Sequence, residues 1–378
     1  MGCVSRTVGV IWVASMVVAA TCARSYAGPA EAKEFLETYL KASWPEQQEL
    51  RSKLVELGPE IIPIAVSQMK NEKFSREKLP HGWEAPLRNS ADVLGILATT
   101  DEHRASVIDL MKPLLVSKDP NERGWSNYVL SMVHFPGELD NMSELIRNED
   151  VGDVLCTILN RLYYTLLNNR DVAKQKDTES AWRETLVRTL GDCLKSKDDS
   201  IVVPAAGCLT EIPSPQSTAI AVEAIVKGQT NPLHFESLLR QRIGTPGPAA
   251  LTLEQQRAVV GALIETKMKR PQTGSDTWTD IIMDIQDKRV LLAFFQMLET
   301  YKDNATVQRQ ASYSIWIVFT RTPELRAATP GAVYDMRAID GNPKQAGEVW
   351  RQWYQANKER LTWDEADNCY RLQGAKAK

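Results

Sequence analysis

The chain has 378 residues, of which 43% are hydrophobic and 25% are charged, which is enough for two globular domains or one elongated repeat array. These fractions lie close to the averages of soluble proteins, and they argue against wholesale disorder and against a protein with many membrane spans. The formal net charge is −3. Such a mildly acidic chain lacks the basic surface that general nucleic-acid binding requires.

Residues 1–27 have the features of a secretory signal peptide. A basic start precedes an apolar run at 8–20, which is shorter than the roughly 20 apolar residues of a membrane-spanning helix. Small side chains at both ends of 25–27 predict cleavage before Gly28. Two alternatives remain open, an uncleaved N-terminal membrane anchor and lipidation of Cys22. The predicted location is periplasmic or extracellular, with membrane anchoring as the alternative.

Beyond the signal peptide, the hydrophobic pattern predicts helices throughout. Apolar side chains recur at helical spacing, in chain order, over 125–133, 151–167, 182–194 and 307–319. The period-two alternation that is typical of strands is nearly absent. We expect about fourteen helices of roughly 10 to 18 residues, separated by short connections. Longer irregular stretches are expected at 73–82, 169–177, 244–251, 266–276 and 321–342.

Several helix boundaries are indicated by a short polar residue followed by proline. Proline is favoured at the first helical position because its missing N–H would have no partner there, and the polar side chain before it caps the free N–H groups. Asp119-Pro120, Ser214-Pro215 and Asn342-Pro343 have this pattern. Leu57-Gly58-Pro59 predicts the end of one helix followed at once by the start of another.

One segment of the chain is repeated. Leu-x-Ser-Lys-Asp occurs at 115–119 and again at 194–198, an offset of 79, and each copy is expected to form a helix, a tight charged turn and a second helix. A third, looser copy begins at Leu298, with Asp303 at its turn. The offset is close to two units of about 40 residues, which is typical of solenoids whose units pack only against their neighbours.

The repeated unit resembles the HEAT-repeat family. Residues 106–123 resemble the family pattern of a Pro-Leu-Leu helix end, an aspartate at the turn and an arginine, here Arg123, early in the second helix. Residues 87–95 resemble the second helix of such a unit, in which Arg, Ala and Leu-Gly recur. The second copy departs from the pattern, because Val202 stands where the first copy has the arginine. The resemblance spans roughly residues 45–320 and is specific in two or three units.

The resemblance implies an all-α protein, an α-solenoid of stacked antiparallel helix pairs. The expected organisation is a signal peptide (1–27), a HEAT-like α-solenoid (28–320), and a loop with a Trp-rich C-terminal helical cap (321–378). In that family the rod usually binds another macromolecule. The expected function is therefore a non-enzymatic exported scaffold that binds a protein or a cell-envelope component, with no nucleic acid as partner.

Tryptophan is concentrated near the C-terminal end, at positions 316, 350, 353 and 363. Val349, Trp350, Trp353 and Tyr354 form an aromatic stripe on the helix that Asn342-Pro343 begins. The main interpretation is that these rings cover the open apolar end of the array. The alternative is an aromatic binding patch for a glycan or a protein.

The cysteine pattern does not indicate a disulfide framework. Without the predicted signal peptide, Cys156, Cys193, Cys208 and Cys369 remain, and no CxxC pair occurs. Cys156 and Cys193 lie on apolar helical stripes, where a free thiol packs as a small hydrophobe. A Cys156–Cys193 bond is the alternative if their two helices form an antiparallel hairpin.

No residue pattern indicates catalysis, a cofactor or a metal. The four histidines lack metal-ligand spacing, and the usual nucleophile, phosphate-loop and dinucleotide motifs are absent. His134 is interpreted as a cap or core contact. The densest basic cluster, Lys267, Lys269 and Arg270, is expected in a loop, either solvated or touching an anionic surface.

Two other functions stay open. One is an all-helical enzyme or lyase-like HEAT protein with a small-molecule site in its concave groove. The other is a structural protein that self-assembles through its ends and loses that ability when Trp350 and Trp353 become polar.

Overall fold

The structure is a computed structural model that describes most of the chain after residue 27. The described ranges are 28–79, 85–135, 139–169, 181–243, 246–269, 271, 281–285, 287–333 and 336–374. The predicted signal peptide, together with His81 and Arg270, lies outside these residues.

The described residues are mostly helical. The first nine helices are α1 (Pro29–Lys41), α2 (Trp44–Glu56), α3 (Gly58–Asn71), α4 (Ser90–Ala98), α5 (Arg104–Met111), α6 (Pro120–Met132), α7 (Met142–Asn148), α8 (Gly152–Asn168) and α9 (Ala181–Cys193). The next nine are α10 (Asp199–Glu211), α11 (Pro215–Val226), α12 (Glu236–Arg242), α13 (Leu253–Lys269), α14 (Lys288–Thr300), α15 (Ala305–Arg321), α16 (Pro323–Ala327), α17 (Met336–Gly341) and α18 (Pro343–Asn357). Across the described ranges, none of these helices is both long and apolar enough to cross a membrane.

The polar residue–proline boundaries predicted from the sequence are confirmed. Asp119 accepts a hydrogen bond from a backbone N–H of the first turn of α6, and Ser214 does the same at α11. Asn342 caps α18 through the N–H of Gln345 at 3.1 Å. Helix α3 begins at Gly58, two residues after α2 ends, as the Leu-Gly-Pro sequence predicts.

Two series of helices pack in chain order. In the first series, α4 packs against α6, α6 against α8, and α8 against α10. In the second series, α7 packs against α9, α9 against α11, and α11 against α13. Neighbours along the chain also pair across the two series, as α7 does with α8 and α9 with α10. One continuous cluster of buried apolar residues lies between the helices.

The packing of the helices accounts for the absence of the suggested Cys156–Cys193 bond. The two cysteines lie on α8 and α9, which have different main packing partners: α8 packs on α6, α7 and α10, whereas α9 packs on α7, α10 and α11. Both thiols are free. The Cys156 sulfur instead accepts a hydrogen bond from Asn160 Nδ2 at 3.3 Å.

A buried arginine links three helices of the array. Arg242 on α12 is only 3% exposed. Its guanidinium donates to the hydroxyls of Ser217 and Thr218 on α11 and to the carbonyl of Leu209 near the end of α10. Burial lowers the pKa of Arg242 to about 10. At this pKa Arg242 is still a cation near neutral pH, and its positive charge offsets the partial negative charge of the carbonyl end of α10 inside the molecule.

The C-terminal aromatic stripe packs inward. Trp350 is fully buried, and its ring lies edge-on to Phe319 of α15 with the centroids 4.8 Å apart. The indole N–H of Trp353 donates to the carbonyl of Ala328 at 2.9 Å. Because Trp350 lies in the core, a polar substitution there would disrupt folding before it tested self-assembly.

The C-terminal segment also contains a β-hairpin, which the sequence analysis does not predict. Strands β1 (Leu361–Asp364) and β2 (Cys369–Leu372) pair antiparallel, with Trp363 opposite Tyr370. Each strand has four residues, which is too short for a period-two pattern to stand out. Asn368 takes a left-handed backbone conformation (φ 49°) in the connection, as asparagine tolerates better than most residues.

Two other expected loops differ from the structure. Helix α13 continues to Lys269, so Lys267 and Lys269 are helical; Lys267 is buried, and Lys269 pairs with Glu265 at 2.6 Å. The predicted loop cluster is therefore wrong for these two residues. The expected irregular stretch 321–342 holds α16, α17 and a 3-10 turn at Gly331–Val333.

Candidate functional site

Two turns of the chain have the same hydrogen-bonded geometry. Before α6, the N–H of Asp119 donates to Ser117 Oγ at 3.1 Å, and the Asp119 carboxylate accepts from a helix N–H at 2.9 Å. Before α10, the N–H of Asp198 donates to Ser196 Oγ at 3.1 Å, and its carboxylate accepts from a helix N–H at 2.8 Å. The repeated Ser-Lys-Asp sequence thus forms the same capping turn twice.

The third, looser copy of the repeat has a different cap. Asp303 aligns with Asp199, the residue after the cap of the second copy, whereas the N-cap of α15 is Asn304, whose side chain accepts from the N–H of Val307 at 3.2 Å. The turn lacks the Ser-Lys-Asp sequence that sets the geometry of the first two copies. The close structural repeat is therefore limited to the turns before α6 and α10.

A groove of about 860 Å³ lies beside the first of these turns. One wall is the turn itself, and the other is the segment 148–151 that precedes α8. Val116 stands in the groove with 75% of its surface exposed. Single exposed apolar side chains are common on protein surfaces, so Val116 only marks the position of the groove.

An ion pair connects the two walls of this first groove. Arg123 Nε and Nη2 donate to the two carboxylate oxygens of Glu149 at 2.7 and 2.8 Å, and Nη1 donates to the carbonyl of Ser117 at 2.9 Å. The Glu149 side chain is only 2% exposed. The hydrogen bonds with Glu149 raise the pKa of Arg123. This bidentate pair fixes the distance between the walls.

A second groove of about 630 Å³ lies at the equivalent place beside the turn before α10. The other wall of this second groove is the segment 228–232 that follows α11. Eight lining residues of the first groove have counterparts 79 positions later that line the second, on both walls. They are Val116 and Lys195, Ser117 and Ser196, Lys118 and Lys197, Pro120 and Asp199, Arg123 and Val202, Glu149 and Gly228, Asp150 and Gln229, and Val151 and Thr230. A groove in the same position of the repeat therefore occurs twice along the chain.

The two grooves differ in charge. Val202 replaces the arginine, so the ion pair between the walls is specific to the first groove. The second groove carries Lys195, Lys197 and Lys269. Two of these lysines are balanced, since Lys195 pairs with Asp192 at 2.6 Å and Lys269 pairs with Glu265. A partner that touches both grooves would meet equivalent positions of the repeat with two different charge patterns.

The three described histidines have separate surroundings. His103 is buried, and its Nε2 lies 2.7 Å from the carbonyl of Val55. His134 follows α6 in a left-handed conformation (φ 47°), and burial lowers its pKa. His234 lies 3.5 Å from Asp199. His103 and His134 occupy core and helix-end positions, as the sequence interpretation of His134 predicts.

The four described thiols lack the lowered pKa of a reactive cysteine. Burial raises the pKa of Cys193 to about 11, and it raises the pKa of Cys156, Cys208 and Cys369 as well. Among the residues that the structure describes, no group of His, Cys, Asp and Glu side chains has an arrangement that holds a metal ion.

Sequence reasoning names no residue of the two grooves as a site, and it misses Glu149 altogether. Glu149 lies 26 positions after Arg123, and nothing local indicates that the two would meet. The offset of 79 was the available signal, because a repeated turn implies a repeated surface on either side of it.

Comparison with known protein families finds no family whose model matches this chain, and comparison with curated proteins finds no match either.

Proposed function

We propose that the protein is a non-enzymatic, exported scaffold, an α-solenoid of HEAT-like repeats that binds a protein or cell-envelope macromolecule through its repeat surface. The ordered contacts from α4 to α10 and from α7 to α13 support the solenoid, since each helix packs chiefly on its neighbours in the series. The basic start and apolar run of residues 1–27 support export.

The observation that carries the binding proposal is the equivalence of the two turn grooves. Eight positions of one groove recur in the other at a constant offset. One helix pair, α7 and α8, lies between the two copies, so two packing steps lead from α6 to α10. Packed helices lie about 8–10 Å apart, which places the grooves roughly 20 Å apart. A partner long enough to reach both grooves loses its translational freedom only once but makes two contacts, so it binds more tightly than a partner of one groove.

Site-specific photo-crosslinking in intact cells tests this proposal. A photoreactive amino acid replaces Val116 in the first groove or Lys195 in the second, and a matched control replaces Met336, which is 44% exposed on α17. We expect the same macromolecule to be captured from both groove positions and not from the control. Capture of that macromolecule equally from Met336, or from neither groove, would contradict the proposal.

Charge reversal in the grooves provides an independent check. We expect the double variant Lys118→Glu, Lys197→Glu to capture at least about tenfold less partner, because one exposed lysine is reversed in each groove. Lys302→Glu, an exposed lysine in the turn between α14 and α15, is the control and should capture as much as the wild type. An equal loss in both variants would show a general charge effect rather than groove binding.

A further inference from the structure

A third groove, of about 400 Å³, runs along α10 between α8 and α12. Its floor is formed by small side chains of α10 at Val203, Gly207 and Thr210, whose spacing of three and four residues places them on one face of the helix. Tyr163 and Tyr164 of α8 line one side, and the other side belongs to the 3-10 turn at 232–235 and to α12. The volume is typical of small-ligand sites.

Gly207 is required for the shape of this groove. A Cβ atom there would lie 2.9 Å from the ring of Tyr163, which is closer than real side chains approach one another. The missing side chain lets the Tyr163 ring lie directly over α10. Helix α8 therefore lies close to α10 on this side of the groove, and the ring of Tyr164 lies at the edge of the groove.

The rings of Tyr163 and Tyr164 lie next to each other and are inclined to one another. Their ring centroids are 5.3 Å apart, and the ring planes are inclined by 55°. Tyr164 is 44% exposed, and Val203 beside it on the floor is 47% exposed. These two side chains give the groove an apolar part that is open to solvent.

The charge within the groove is balanced. Glu211, the last residue of α10, contributes the one carboxylate of the lining, and the buried guanidinium of Arg242 interacts with it electrostatically. None of the described residues that line this groove is a lysine or an arginine, and its histidine, His234, lies 3.5 Å from the Asp199 carboxylate. An anion would therefore meet no ammonium or guanidinium group in the lining, and Arg242 offsets the attraction of Glu211 for a cation.

The remaining polar lining is uncharged and suited to hydroxyl groups. Asn160 and Gln241 present amides, and Ser237 presents a hydroxyl; Ser237 and Gln241 are exposed. Amides and hydroxyls donate and accept at once. A ligand that meets them needs many hydroxyls of its own together with an apolar face for the Tyr164 ring.

We propose that this groove binds a neutral saccharide. A pyranose ring has an apolar C–H face, which packs on Tyr164, and a rim of hydroxyls, which hydrogen-bond to the side chains of Asn160, Ser237 and Gln241. The site is separate from the two turn grooves, and the inference does not depend on their role.

Isothermal titration calorimetry of the purified protein with neutral tetrasaccharides tests the site. The probes are β-1,4-linked glucose, α-1,4-linked glucose and β-1,4-linked N-acetylglucosamine. We expect at least one probe to bind and Tyr164→Ala to weaken it about tenfold or more. Tyr164→Phe keeps the ring and should retain the affinity.

The controls separate this site from other surfaces. Leu292→Ala removes a side chain of similar exposure on α14 and should leave the affinity unchanged. Gln241→Ala, on the opposite wall, should weaken binding without changing the thermal unfolding midpoint. The proposal is overturned if no neutral probe binds, if binding survives Tyr164→Ala, or if only a charged oligomer of galacturonate or glucosamine binds.

Discussion

Asp92, at the N-terminal turn of α4, is a carboxylate without exposed surface. Its Oδ2 accepts the N–H of Arg88 at 2.9 Å, and its Oδ1 accepts the hydroxyl of Tyr128 at 2.8 Å. Burial raises the pKa of Asp92, and these hydrogen bonds oppose the rise. The ionised carboxylate is therefore held in the protein at a desolvation cost.

The raised pKa predicts how stability changes with pH. Above the unfolded pKa of Asp92 and up to the folded one, the folded state binds more protons than the unfolded state. The free energy of unfolding therefore falls as pH rises through that window, by up to about 1.4 kcal/mol per pH unit. Asp92→Asn carries no charge, and its amide can accept from the N–H of Arg88 and donate to the Tyr128 oxygen. We expect this variant to lack the fall, as measured by urea unfolding between about pH 3 and pH 7.

Tyr128→Phe is the companion variant for this measurement. Loss of the hydroxyl removes a hydrogen bond that favours the ionised form of Asp92, so the fall should extend to higher pH than in the wild type. A constant difference between wild type and Asp92→Asn across the whole range would contradict the assignment.

At the scale of elements, the Arg123–Glu149 pair joins the turn before α6 to the turn before α8. Glu149 is almost entirely buried, and it also accepts the N–H of Val151 at 3.0 Å. The equivalent position of the second copy is Val202, so a helix pair of this kind also packs without the arginine. The pair therefore sets the spacing of one groove and is not a general requirement of the repeat.

Removing one partner should cost more than removing both. We expect Arg123→Met to lower the free energy of unfolding by about 3–5 kcal/mol, because Glu149 would then be left buried without its cation. The double variant Arg123→Met, Glu149→Met should recover part of that loss, since no uncompensated charge remains. Chemical denaturation of the four proteins in a double-mutant cycle measures the coupling.

The exposed pair Lys195–Asp192, at the equivalent turn, is the matched control. Lys195→Met should change stability by less than about 1 kcal/mol, because both side chains are solvated. If Arg123→Met proved as mild as Lys195→Met, the first groove would not depend on its ion pair.

At the scale of the whole molecule, local features were predictable and pairings between distant segments were not. The caps at Asp119, Ser214 and Asn342 each depend on only two adjacent residues, the polar side chain and the proline after it, so the sequence predicts them correctly. The helical pattern of α8 and α15 likewise needs only the apolar face of one helix. By contrast, the interpretation of Cys156 and Cys193 depended on which helices pack together, and α8 packs mainly on α6 and α10 rather than on α9.

The candidate sites depend on the same missing information. The saccharide groove combines Tyr164 of α8, Gly207 of α10 and Gln241 of α12, and no short motif contains all three. The sequence did show the repeated turns that flank the other two grooves. It did not show their second walls, because Glu149 lies on a different helix pair from Arg123.

The C-terminal hairpin should stabilise one end of the molecule only. Tyr370 and Leu372 of β2 join the buried core, and Asn368 accepts a hydrogen bond from Arg257 of α13 at 2.7 Å. Burial raises the pKa of Tyr370. We expect Tyr370→Ala to cost about 3–5 kcal/mol, as truncation of a buried aromatic ring does, and to loosen α14 to α16 while α4 to α8 stay protected.

Hydrogen–deuterium exchange with mass spectrometry locates that effect along the chain. Tyr370→Phe keeps the ring and serves as the control, with exchange close to that of the wild type. An increase in exchange spread evenly from α4 to α18 would show that the hairpin supports the entire chain, contrary to this prediction.

The hairpin also gives the order of synthesis a structural meaning. Strand β2 is translated after the helices that it covers, and Asn368, just before it, accepts a hydrogen bond from Arg257 of α13, which lies 111 positions earlier. Helices α4 to α10 pack on their neighbours in the series, so each can fold soon after the next helix of its series is made, while the chain grows. The helices beneath the hairpin keep an apolar surface uncovered until β2 has been translated. For them, synthesis of the hairpin is itself a folding step, and the interval before it is when a chaperone has something to hold.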